Sequence, residues 1–166
     1  MKKIKFNKNF KSGFTLIELL VVVAIIAIIV SVVLASLGTA KNRGAEAGVK
    51  SNLNNARSQA EVFYNTNTAV PNSYTGVCTN PGPVGDAKTV AAHLISAAKA
   101  GGVSGYNING VPSAPGITMA SCNDIGSAWA AEVPLRGGGM WCVDSNNKSL
   151  KETGTSFSNG ADYTCI

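Results

Sequence analysis

Residues 14–37 hold 24 positions of which only Thr15, Glu18, Ser31 and Ser36 are polar. As an α-helix this run would be about 36 Å long, more than the roughly 30 Å needed to cross the hydrocarbon core of a bilayer. Its many Val and Ile residues suit a strand in water, but a lone strand in lipid would leave its backbone groups unpaired. The run therefore predicts a membrane-spanning helix. A secretory signal peptide would have a shorter apolar core, about 7–15 residues, ending at a small-x-small cleavage site. Ala35 and Ala40 mimic such a site, but the run is longer and carries Glu18 near its start.

Charge is distributed unevenly around this segment. Lys2, Lys3, Lys5, Lys8 and Lys11 all precede Gly13, and no acid does. Without them the chain has nine basic residues against nine acidic ones, so the formal charge of +5 belongs to the leader. That distribution predicts no specific nucleic-acid partner, and Lys148, Lys151 and Arg136 make only a modest basic patch. Lysines ahead of an apolar helix hold the leader in the cytoplasm.

Past Gly38 a narrower apolar stripe continues at helical spacing through Ala45, Val49, Leu53, Ala56, Ala60 and Phe63. The two segments read as one helix over residues 15–64, with Arg57 and Glu61 spaced to pair on its surface. Asn65–Thr68 and Pro71 end it, and a Pro- and Gly-rich loop follows over 73–85. Residues 89–100 predict a short helix stopped by Gly101 and Gly102. Residues 107–123 read as irregular. Strands are predicted at 128–133, 140–144 and 148–153, the first two joined by a turn at Gly137–Gly139.

Four cysteines, Cys78, Cys122, Cys142 and Cys165, lie beyond the apolar run. An even count in a small Gly-rich region predicts two disulfides formed in an oxidising compartment, with three possible connectivities. The absence of CxxC and the single histidine, His93, argue against zinc. Asp86, Asp124, Asp144 and Asp162 lack metal-ligand spacing; Asp144-Ser145-Asn146 has a faint calcium-loop character, but reads better as a turn. The glycines after Arg136 lack the Lys-Ser/Thr of a phosphate loop. Trp129, Trp141, Tyr106 and Tyr163 offer either a binding surface or, the preferred reading, packing between sheet and helix. No catalytic set, cofactor site or metal site emerges, so the chain is read as a non-enzyme; a secreted or membrane-anchored binding or enzymatic domain is the remote alternative.

Residues 11–20, Lys-Ser-Gly-Phe-Thr-Leu-Ile-Glu-Leu-Leu, resemble the signal of type IV prepilins and type II secretion pseudopilins, and the likeness extends to residue 38. The resemblance implies cleavage between Gly13 and Phe14 by a prepilin peptidase, methylation of the new Phe14 amine, and a helix that polymerises into a filament through an inner-membrane assembly platform. Partners would be the membrane first and copies of the chain afterwards. Glu18 is the family's acid, and the Phe14 amine of a neighbouring subunit would supply its counter-charge. The family's frequent proline is missing: Ala35 holds its place, so melting of the helix would have to use Gly38 or Gly44. An acid at Glu18 argues against a tip subunit, which often lacks it.

The resulting expectation is an α+β pilin fold. A long N-terminal helix, hydrophobic then amphipathic, would pack on a small C-terminal antiparallel sheet of three or four strands. Residues 1–13 would be the leader and 14–38 the anchor. The globular domain would span 39–166, divided into helix (39–64), loop with short helix (65–127), and sheet with tail (128–166). The resemblance, with its C-terminal disulfide loop, favours Cys142–Cys165 and Cys78–Cys122. Localisation would be the inner membrane, then an extracellular pilus or a periplasmic pseudopilus. The expected function is a structural subunit of a type IV pilus-like filament, with a pseudopilin of a type II secretion system as the alternative.

Overall fold

The computed structural model describes residues 13–79, 90–108, 118–155, 157 and 162–166. Most of the expected leader, Asp86, and parts of both long loops lie outside the described residues. The chain divides into two compact units, with the boundary between Thr39 and Ala40.

Helix α1 runs from Leu16 to Thr66. In the first unit its large apolar side chains, from Leu16 to Leu37, are all exposed. Ser31 and Ser36 return their hydroxyls to the carbonyls of Ile28 and Val32, which removes their need for water. Gly38 and Gly44 lie inside α1 without interrupting it. At the C-terminal end, Asn65 and Thr66 side chains donate to the carbonyls of Glu61 and Val62, and the Asn67 carboxamide accepts from the backbone of Ala69 and Val70. These polar side chains satisfy the last turn and divert the chain.

In the second unit, Val49, Leu53, Ala56 and Ala60 of α1 are fully buried, at spacings of four, three and four. They share one core with Val90, Leu94, Ala97 and Ala98 of helix α2, which spans Val90–Gly101. Helix α2 ends in a paired turn: Val103 N donates to Ala98 O and Gly102 N to Lys99 O, with Gly102 at φ 79°. That geometry satisfies two orphan carbonyls and needs the left-handed conformation glycine adopts freely. Small residues let the layers approach. A Cβ built on Gly101 would lie 2.7 Å from the Pro134 carbonyl oxygen, and one on Gly48 would lie 3.1 Å from Ala100 Cβ.

The sheet has five strands in sequence order: β1 (Tyr106–Ile108), β2 (Ala120–Ile125), β3 (Ala128–Pro134), β4 (Met140–Asp144) and β5 (Ser149–Glu152). β3, β4 and β5 coincide closely with the strands expected from the sequence. β1 and β2 correct the irregular reading of 107–123, and the β1–β2 pair is parallel whereas the others are antiparallel. Burial on both faces explains why β2 escapes pattern reading. Ala120 and Cys122 belong to the core, while Ser121 and Asn123, pointing the other way, are also buried.

The same alternation divides β3 and β4. Ala131, Val133 and Val143 join the helical core, with Trp141 packed against it, whereas Glu132, Cys142 and Asp144 face the opposite side. The C-terminal tail crosses that side. Cys142 is disulfide-bonded to Cys165, Thr155 Oγ1 donates to Glu132, and Asn123 Nδ2 donates to the Asp162 carbonyl at 3.1 Å. The second disulfide, Cys78–Cys122, ties the loop after α1 to β2.

Two aspartates anchor the loops. Asp124 accepts from the backbone N–H of Gly76 and Cys78 at 2.9 and 2.7 Å. Asp144 accepts from Asn146 and Lys148 at 2.9 and 3.0 Å, and from Cys165 at 3.0 Å. The pairing of Arg57 with Glu61 suggested by their spacing does not form. Arg57 instead donates to Asn147 Oδ1, and Glu61 accepts the Tyr74 hydroxyl at 2.9 Å. Partners across the fold are better placed than a solvent-exposed neighbour one turn away.

Two outcomes test this packing. Gly101→Ala should destabilise the protein by about 1–3 kcal/mol, because the new methyl meets a backbone oxygen that cannot yield; unfolding in detergent solution measures it. Burial, with the hydrogen bond to Glu61 and its charge adding to it, pushes the Tyr74 hydroxyl up to about 12 from its usual 10. The stabilisation linked to the protonated hydroxyl is complete below pH 10 and is lost as pH rises through 12. Unfolding profiles should therefore show a steeper alkaline loss for the parent than for Tyr74→Phe.

Candidate functional site

The first turn of α1 is built around Thr15. Its backbone N–H and its hydroxyl both donate to Glu18 Oε2, at 2.9 and 2.7 Å, and Glu18 N–H donates back to Thr15 Oγ1 at 3.3 Å. This is a reciprocal capping box: residue 15 closes the helix start and the acid three positions on satisfies the cap's own N–H. The Thr-x-x-Glu spacing announces it in the sequence. The reading of Glu18 as an acid awaiting an external partner overlooked this local one. Glu18 also favours the helix start through the dipole.

Upstream of the cap, Gly13, Phe14 and Thr15 lie outside the helix. Gly13 is exposed with nothing within 4 Å of where a Cβ would sit, and the Phe14 ring is 85% exposed. Downstream, every large apolar side chain from Leu16 to Leu37 is at least 45% exposed. Among the described residues, α1 is the one helix long and apolar enough to cross a membrane.

Residues 8–34 match the family model for the prokaryotic N-terminal methylation motif. The chain carries a type IV prepilin signal. The matched stretch contains Gly13, Phe14, Thr15 and Glu18, and ends within the apolar part of α1. No curated protein and no solved structure matches the chain. The prepilin signal and the long helix over a mostly antiparallel sheet together give a pilin-like α+β layout.

The other candidate residues take structural places. His93 is half-buried on α2, where loss of solvation pushes its pKa below the usual 6.5. Trp129 is fully buried in the core, and Trp141 packs against that core with the Lys50 ammonium 4.4 Å from its ring centroid. That arrangement is the sheet-to-helix packing preferred for the tryptophans, with a cation–π contact added. Tyr106 and Tyr163 remain partly exposed at separate places in the sequence. Lys148 Nζ donates to the Cys165 carbonyl at 2.7 Å, which occupies one charge of the basic patch.

The possible calcium loop is occupied from within. Both oxygens of Asp144 already accept backbone N–H groups, whose positive ends would oppose a cation. Cys142, Glu152 and Cys165 bring potential ligand atoms within 4.8 Å of one another, but both sulfurs are in the disulfide and offer no thiolate. Thermal unfolding should accordingly be the same in millimolar calcium and in chelator. A rise in the midpoint with calcium would show that Asp144 can exchange its backbone donors for a metal.

Proposed function

We propose that this chain is a structural, non-enzymatic subunit of a type IV pilus-like filament. The reading rests on one observation above the others: a prepilin signal opens directly into a helix whose apolar surface is uncovered on every side. In a monomer only lipid can cover such a surface. Once the subunit leaves the membrane, the same surface must be buried against other copies.

The sequence of events follows from the chemistry. The lysine-rich leader keeps the N-terminus cytoplasmic while residues 14–38 span the inner membrane. Prepilin peptidase cuts after Gly13, and methylation follows at Phe14. Cleavage removes five lysines and creates one amine next to the helix start. In the filament that amine meets Glu18 of a neighbouring copy, in a dry interior where an unmatched charge is heavily penalised. An assembly platform at the inner membrane draws subunits into the filament. The second unit, fastened by its two disulfides, forms the outer surface.

Two variants separate the steps. Gly13→Val should leave the leader attached, seen as an uncut mass, and should yield no filaments. Glu18→Ala should be cut and inserted normally, yet fail to polymerise. Filaments built from uncut Gly13→Val chains, or abundant filaments from Glu18→Ala, would sink the reading. Electron microscopy of cells labelled against the second unit then decides the setting. Long surface filaments identify a pilus; short periplasmic structures, with secretion lost on deletion, identify a type II secretion pseudopilus.

A further inference from the structure

We infer that Thr15 is a positioning residue for assembly: it grips one oxygen of Glu18 and leaves the other to accept the incoming charge of a second copy. This inference rests on the filament reading above and concerns how the acid is held before its partner arrives.

The geometry is asymmetric. Both Thr15 donors converge on Oε2, and among the described residues no donor meets Oε1. A carboxylate has acceptor capacity on both oxygens, so the grip uses half of it. Glutamate is ordinarily free to rotate about three side-chain bonds. Here the two donors fix its carboxyl group against the first turn, and the loss of rotamer freedom is taken before assembly begins. The group is also supplied with hydrogen bonds while the subunit waits in lipid, where an unpartnered carboxylate is strongly disfavoured. None of these bonds involves the peptide between Gly13 and Phe14, so cleavage leaves the grip intact. It adds an amine to each copy, while the acceptor on Glu18 is already held in place.

A cap could serve the helix alone, and the test separates that role from positioning. Thr15→Ser keeps both donors. Thr15→Val keeps the shape but loses the hydroxyl. Thr15→Asp keeps a strong helix cap, since its carboxylate accepts the first-turn N–H groups, but it cannot donate to Glu18 and repels it. Polymer is scored by sedimentation and microscopy per correctly cut chain, with the mature mass establishing the cut.

Thr15→Ser should polymerise like the parent. Thr15→Val and Thr15→Asp should each give roughly tenfold less polymer, the scale of one lost charge-assisted hydrogen bond. Parent-like polymer from Thr15→Asp would show that the residue only caps the helix, and parent-like polymer from Thr15→Val would show that its hydroxyl is dispensable; either overturns the inference. The two readings fail separately. If Glu18→Ala polymerises freely, the filament reading itself falls; if Glu18→Ala is blocked while both Thr15 variants polymerise, only the role of Thr15 falls.

Discussion

A helix apolar on every side cannot remain in water, and that constraint governs the rest of the molecule. Leu16–Leu37 buries none of its large side chains within the chain. The cost of exposing them scales with area and is met only by lipid or by other helices of the same kind. Five lysines, the capping box and the segment's one acid all lie at one end of it.

The second unit answers a different problem, which is how a small domain stays folded when its core is made largely of alanine, valine and glycine-spaced contacts. Close approach compensates for small side chains, as at Gly48 and Gly101. The face of the sheet away from the helices is buried with polar groups on it, Ser121, Asn123, Glu132 and Asp144. Those groups are tolerated where they hold something: Asp144 and Glu132 receive the tail, and Asn123 donates to it. Each disulfide lies beside one of the anchoring aspartates. Cys78 N–H goes to Asp124 and Cys165 N–H goes to Asp144, so a covalent and a charge-assisted tie act at the same place. Such doubled fastening holds the loop after α1 and the C-terminal tail to the sheet.

What could be read in advance was local. The membrane helix, its amphipathic continuation and the short α2 announce themselves by period, length and stop signals, which depend on residues three or four apart. The prepilin signal is likewise a contiguous string. Even the Thr15–Glu18 box lies within four residues and is written in the sequence as Thr-x-x-Glu. The glycine turn between β3 and β4 also declares itself, with Gly138 and Gly139 at positive φ.

The sequence by itself therefore determined a lysine-rich N-terminal stretch, an apolar segment long enough to cross a bilayer and the methylation motif that joins them. Tertiary structure alone decided how the remaining residues are used. β1 and β2 have little strand character of their own; β2 forms because β3 offers a partner, and β1 because β2 then does. Arg57 and Glu61 part from each other because Asn147 and Tyr74, remote in sequence, arrive nearby. Asp144 becomes a hub for backbone donors for the same reason. Pairing, burial and polar satisfaction join residues tens of positions apart, and no local pattern encodes which of them will meet.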